Sequence, residues 1–138
     1  MLEIDIAKVD SSIIEALRED VGSGDHTSLA TIPSDHQGRA QLLIKESGIL
    51  AGVEAAVRVA FHVNPELKVS VLISDGTWVN AGDVAFIIEG KTQDITIAER
   101  LMLNIMQRMS GIATHTHRIQ SMINHTSCKL LDTRKTTP

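Results

Sequence analysis

The feature that most limits the possible folds lies towards the end of the chain. From Ile95 to Ile123 there is no proline and a single glycine, Gly111. Proline and glycine are the two strongest helix breakers, so the helical state runs nearly unopposed here. Ile97, Leu101, Ile105 and Met109 recur every four residues, which places them on one helix face. Thr96 and Glu99 have capping-box spacing near the start. The pattern predicts one long helix, or two end to end, with Ser110-Gly111 as a kink or a point of close packing. In a chain of 138 residues, that leaves room for one domain or a domain and a half, not two full domains.

The segments ahead of this helix alternate in character. Asp10-Ser11-Ser12 precedes Ile13, Ile14 and Leu17, and Ser12 and Glu15 are spaced as a capping box, predicting a short helix from Ser11 to Glu19. Val21 to Thr27 contains two glycines among small polar residues and reads as a loop. Ala40 to Lys45 reads as a strand, Glu46-Ser47-Gly48 as a turn and Ile49 to Ala51 as a return strand. Val53, Ala56, Val57, Ala60 and Phe61 predict an amphipathic helix over Gly52 to His62. Leu67, Val69, Val71 and Ile73 alternate with their neighbours as in a half-buried strand. Asp75-Gly76 is a hairpin signal, Asn80 to Asp83 a second turn, and Val84 to Glu89 a strand closed by Gly90. After the long helix, Lys129-Leu130-Leu131 reads as a short strand, with Cys128 as a small buried hydrophobe at its start. The class is therefore α+β. The final strand leads into a dense polar run with nothing after it, as though the chain were cut where a parallel fold begins.

Charge and composition exclude several roles. Thirteen basic against seventeen acidic residues give −4, which argues against a nonspecific nucleic-acid or anionic-membrane surface. One cysteine forms no internal disulfide and no multi-thiolate metal site. The most apolar stretch, Ile49 to Phe61, carries Glu54 and Arg58, so it does not span a membrane. A cytoplasmic, reducing setting is the expectation.

Two polar groupings could carry chemistry. Asp132-Thr133-Arg134-Lys135-Thr136-Thr137 ends an apolar strand, the place where parallel α/β folds bind ligands. A guanidinium beside an ammonium suits a carboxylate or phosphate, although a solvated tail explains the same composition equally well. Arg100, Asn104 and Arg108 fall at four-residue spacing along one helix side, either as a polar stripe for an anionic partner or as a wet face. His115 and His117 point about 200° apart on a helix and cannot share one ion, so no protein-built metal site is expected. The Asp75 to Gly90 pattern is also similar to lipoyl and biotinyl carrier modules, but Lys68 and Lys91 both lie outside its turns.

Four segments together resemble one family. They are Glu19-Asp20-Val21-Gly22-Ser23-Gly24-Asp25-His26-Thr27, Glu99-Arg100-Leu101 with Leu103-Asn104, Ser110-Gly111-Ile112-Ala113-Thr114 with Thr116, and Leu131 to Pro138. In order and spacing they resemble quinolinate phosphoribosyltransferase, the carboxylating nicotinate-nucleotide pyrophosphorylase. The resemblance implies an open α/β sandwich over residues 1–93. Residues 94–138 would then be a long helix and the first strand of a truncated α/β barrel. It implies transfer of phosphoribose from phosphoribosyl pyrophosphate to quinolinate with loss of CO₂, Mg²⁺ as cofactor, and a homodimer with shared active sites. By the same resemblance Thr133, Arg134 and Lys135 bind quinolinate, Arg100 reaches it from the neighbouring subunit, and no residue of this segment is assigned as a catalytic base or nucleophile. A related pyrophosphorylase with another substrate, or a noncatalytic carrier module, are the alternatives.

Overall fold

The computed structural model describes residues 5–133. The elements run α1 (Ile6–Val21), α2 (His26–Thr31), β1 (Gln37–Leu43), β2 (Gly48–Ile49), α3 (Val53–Val63), β3 (Lys68–Val71), β4 (Trp78–Val79), β5 (Val84–Lys91) and α4 (Thr92–Ile123). The expected α+β class holds. β5 is the central strand of an antiparallel sheet ordered β1-β5-β3, with Ala40 and Val69 both opposite Ile88. A second, two-stranded sheet pairs β2 with β4.

The core forms where α3 and the first half of α4 meet the sheet. Ala56, Val59 and Ala60 of α3, Ala85, Phe86 and Ile88 of β5, and Ile95, Ala98, Met102 and Met106 of α4 belong to one buried cluster. Small residues let the helices approach closely. Gly52, the N-cap of α3, sits at φ +95°, and a Cβ there would stand 3.3 Å from the Met106 Cα. Only glycine meets both the left-handed backbone and the contact.

Several boundaries differ from the sequence expectation for local reasons. α1 begins five residues before Ser11, because Asp5 caps it by accepting from the Lys8 N–H. Ser11 and Ser12 lie inside the helix and donate back to the carbonyls of Ala7 and Lys8, both at 3.0 Å. The glycine-rich loop is shorter than expected, since Asp25 caps α2 from within it. Asp75-Gly76 does not turn a β3–β4 hairpin, because those strands belong to different sheets. The Asp75 carboxylate instead accepts from the N–H groups of Val53 and Glu54 at 2.8 and 3.3 Å, capping α3 from a distance in sequence. The carrier-type hairpin is therefore not formed, and Lys68 and Lys91 lie in β3 and at the end of β5.

α4 starts at Thr92, and the Thr96 hydroxyl donates to the Thr92 carbonyl, so Thr96 is not its cap. Its buried row is Ile95, Ala98, Met102 and Met106. The expected row of Ile97, Leu101, Ile105 and Met109 lies one residue to the side, and Met109 is exposed. The helix passes through Ser110-Gly111 unbroken. Residues 128–131 form no strand, for no neighbouring strand among the described residues pairs with them. Cys128 is exposed and Leu131 is 80% exposed, which corrects the expectation of a buried thiol at a strand start. No helix among the described residues is long and apolar enough to cross a membrane.

Candidate functional site

The two motif-bearing ends of the fold meet at Arg100. Asp20 stands in the last turn of α1, just before Gly22 turns the chain with φ +52°. Its Oδ1 accepts from Arg100 Nη1 at 3.0 Å, joining residues eighty positions apart. The Arg100 side chain remains 66% exposed, while Asp20 is only 26% exposed. Asp25, across the glycine-rich loop, faces the same region. Its carboxyl pKa is lowered, mainly by the Ser28 hydroxyl and backbone N–H and in part by the charge of Arg100. The Ser28 Oγ–Asp25 Oδ2 distance is 2.6 Å. The result is an accessible guanidinium anchored on one side by carboxylate and open on the other. Asn104 and Arg108 continue along α4 as exposed positions.

The second half of the expected site is only partly described. Thr133 is exposed, and its backbone N–H donates to Asp132 Oδ1 at 2.7 Å. Arg134 and Lys135 lie outside the described residues. His117 sits against Trp78, with ring centroids 5.6 Å apart. Among the described residues no group of three or more His, Cys, Asp or Glu could hold a metal ion. The Mg²⁺ that the resemblance implies would arrive with phosphoribosyl pyrophosphate rather than on a cluster of these residues.

The motif around Ser110 has a structural task that its sequence does not reveal. Ser110 and Thr114 stand one turn apart on α4 and face the backbone of β2 and the residues after it. Thr114 Oγ1 accepts from the Ile49 N–H at 2.9 Å. Ser110 Oγ accepts from the Ala51 N–H at 3.0 Å and donates to the Ala51 carbonyl at 3.1 Å. Two hydroxyls thus satisfy an edge that no second strand among the described residues pairs. Beside them a cavity of about 650 Å³ opens between the β1–β2 connection and α4, with Lys45, Ser110, Thr114, His115 and Arg118 in its wall.

A third polar cluster pins α1 to α3. Arg58 Nε donates to Asp10 Oδ1 at 2.6 Å, and its Nη2 engages Oδ2. His62 Nε2 lies 2.9 Å from Oδ1 but off the hydrogen-bond direction. The Arg58 hydrogen bond, followed by the neighbouring imidazole, holds the Asp10 carboxyl at about 2, below its ordinary 3.8.

Residues 25–110 match the family described as quinolinate phosphoribosyl transferase, N-terminal domain. The chain belongs to the quinolinate phosphoribosyltransferase family. The carboxylating nicotinate-nucleotide pyrophosphorylase of Arabidopsis thaliana, named as chloroplastic, is 46% identical over 124 residues, which is 89% of this chain and 35% of the relative. A probable enzyme of the same name from Synechocystis is 33% identical over 130 residues, 94% of this chain and 44% of the relative. The solved nicotinate-nucleotide pyrophosphorylase of Francisella tularensis superposes with a TM-score of 0.92 at 33% identity. It covers 99% of this chain and 49% of that one. NadC of Streptococcus pyogenes gives 0.94 at 32% identity, over 100% and 49%. The chain thus spans from about a third to about half of the length of these family members.

In the family frame, three of the four recognition segments acquire places. The glycine-rich segment carries Asp20 and Asp25, the Glu99-Arg100 segment presents the guanidinium that meets Asp20, and the Ser110 segment holds β2. The Asp20–Arg100 pair and the Asp10–Arg58–His62 cluster escaped the sequence reading. Both join residues far apart in the chain, and no local spacing signals either.

Proposed function

We propose that this chain is the N-terminal portion of an enzyme that joins quinolinate to phosphoribosyl pyrophosphate, forming nicotinate mononucleotide, pyrophosphate and CO₂ for NAD biosynthesis. The observation that carries the reading is Arg100: a family-motif guanidinium that stays exposed on α4 while one of its nitrogens is tied to Asp20. Quinolinate is a dianion and the sugar donor carries further negative charge, so the site must gather cations. Arg100, Thr133, Arg134 and Lys135 are the proposed quinolinate contacts. A guanidinium grips a carboxylate through two parallel N–H donors, and the Lys135 ammonium adds a point charge.

The chemistry needs placement more than a nucleophile. The ribose C1 passes through an oxocarbenium-like state as pyrophosphate leaves and the ring nitrogen bonds to it. The ring nitrogen is then cationic. When the adjacent carboxylate departs as CO₂, that positive charge stabilises the electron pair left on C2, which takes a proton. Residues that fix the two carboxylates align the nitrogen with C1 and contribute through orientation. In this reading residues 1–93 form the N-terminal domain, and residues 94–138 lead into a barrel domain. Two copies share their sites, Arg100 of one reaching quinolinate bound by the other. The proposed setting is cytoplasmic, compatible with a single, free and exposed cysteine.

The test is to assay a complete enzyme carrying this chain with quinolinate and phosphoribosyl pyrophosphate. The expected result is CO₂ release that requires both substrates and matches nicotinate mononucleotide formation one for one. Turnover of another ring acid, with quinolinate untouched, would assign the chain to a pyrophosphorylase of different specificity.

A further inference from the structure

We propose that Asp20 is a positioning residue for Arg100: from the end of α1 it holds the guanidinium in the orientation that receives a carboxylate of quinolinate. The inference rests on the reading of Arg100 as a substrate contact and adds a second residue, from a different helix, to that function.

Three observations carry it. First, the contact is directional. Arg100 Nη1 donates to Asp20 Oδ1 at 3.0 Å, and among the described residues no other hydrogen bond engages the Arg100 guanidinium. One nitrogen is fixed and the remaining donors stay available. Second, the partners differ in exposure: Arg100 is 66% exposed and Asp20 26%. The carboxylate belongs to the fold, and the cation reaches out from it. Third, Asp20 is well anchored. It closes the last turn of α1, whose other end is pinned by the Asp10–Arg58 pair, and the Gly22 N–H bonds back to the Arg18 carbonyl at 3.0 Å. Asp25, itself bound by Ser28, adds negative charge on the far side of the loop.

An exposed ion pair of this kind contributes little to folding, because solvent screens it and both side chains lose freedom. Its value lies in what it does to the arginine. A long side chain that must be immobilised on binding costs affinity, and one already immobilised does not. A carboxylate also keeps the guanidinium plane fixed, which matters for two-point recognition of a second carboxylate. Asp20 therefore belongs to binding of quinolinate and leaves the sugar donor untouched.

The experiment is a kinetic cycle in a complete enzyme carrying this chain, using Asp20→Asn, Asp20→Glu, Arg100→Ala and the double variant Asp20→Asn/Arg100→Ala. Asp20→Asn keeps the shape and removes the charge. It should raise the KM for quinolinate about 2- to 10-fold, the range expected for freeing one long side chain. The KM for phosphoribosyl pyrophosphate and kcat should stay within about twofold, smaller than the effect sought. Asp20→Glu should recover part of the loss. In the Arg100→Ala background Asp20→Asn should add nothing, since the side chain it positions is gone. Thermal unfolding of each variant accompanies the kinetics, so that a folding defect shows as a lowered Tm with a common fall in kcat. If Arg100→Ala raises the quinolinate KM but Asp20→Asn does not, or acts equally with and without Arg100, the positioning role is wrong and the site reading stands. If Arg100→Ala leaves the quinolinate KM unchanged, the site reading itself fails.

Discussion

Gly48 and Thr114 meet so closely that adding one methyl group tests why the Ser110–Thr114 motif exists. Gly48 is buried in β2, and an ideal Cβ on it would lie 2.5 Å from Thr114 Oγ1 and 3.2 Å from its Cγ2. Gly48 is not among the glycines with positive φ, so alanine meets no backbone strain. The conflict is with the hydroxyl that accepts from the Ile49 N–H at 2.9 Å. Thr114 is β-branched, and turning it out of the way breaks that bond. Losing the bond to a partly buried N–H costs about 1–3 kcal/mol. Replacing a strand glycine by alanine returns about 0.5–1 kcal/mol through reduced unfolded-chain freedom. The loss wins, so Gly48→Ala should destabilise by about 0.5–2 kcal/mol. Thr114→Ala alone should cost about 1–3 kcal/mol for the orphaned N–H. With alanine at position 114, only the Cβ remains, at 3.4 Å, and Gly48→Ala should become neutral or stabilising by up to about 1 kcal/mol. Urea denaturation followed by far-ultraviolet circular dichroism on the wild type and the three variants gives the coupling energy. An equal cost for Gly48→Ala in both backgrounds would refute the hydroxyl–strand reasoning.

Three further predictions concern other parts of the fold and site. Asp75→Ala should cost about 0.5–2 kcal/mol, the usual loss for an N-cap, and hydrogen exchange should localise the opening to the first turn of α3; slow exchange unchanged at Val53 and Glu54 would count against the cap. The Asp10 carboxyl titrates at about 2 against an ordinary 3.8, chiefly through the Arg58 hydrogen bond, so the folded state favours its charged form. That contribution is complete above about pH 4 and fades as pH falls towards 2, so the Tm gap between wild type and Asp10→Asn should narrow over that window; a gap constant with pH contradicts it. Arg134→Ala in a complete enzyme should raise the quinolinate requirement and cost about 1.5–3 kcal/mol in kcat/KM, as for a lost hydrogen bond to a charged group; unchanged kinetics would remove Arg134 from the site.

Regular, local features were readable from the sequence, and features that depend on partners were not. The long helix was legible because Ile95 to Ile123 holds no proline and one glycine, although the buried row is set by which neighbour packs against it. Ala98 and Met102 lie in that row beside the more apolar Leu101 and Ile105. α3 and β5 were found within a residue or two, since each carries its own periodicity. The start of α1 was missed because Ser12 and Glu15 imitate a cap while Asp5 supplies the real one. The hairpin at Asp75-Gly76 was a correct turn signal with a wrong consequence: the turn separates two sheets, and the aspartate serves α3. Lys129 to Leu131 has strand composition but no described partner strand, and pairing rather than composition makes a strand. At the site, the family resemblance singled out Arg100, but only the fold showed that Asp20 meets it.

The central claim is that Arg100 and the Arg134–Lys135 pair serve one quinolinate molecule from two copies of the protein. Subunit mixing tests it directly. Complete enzymes carrying Arg100→Ala and Lys135→Ala, each nearly inactive alone, are unfolded, mixed in equal amounts and refolded. Shared sites predict recovery of roughly a quarter of wild-type turnover, because half of the dimers are mixed and each mixed dimer has one site with both residues intact. No recovery, with mixed dimers present, would contradict it.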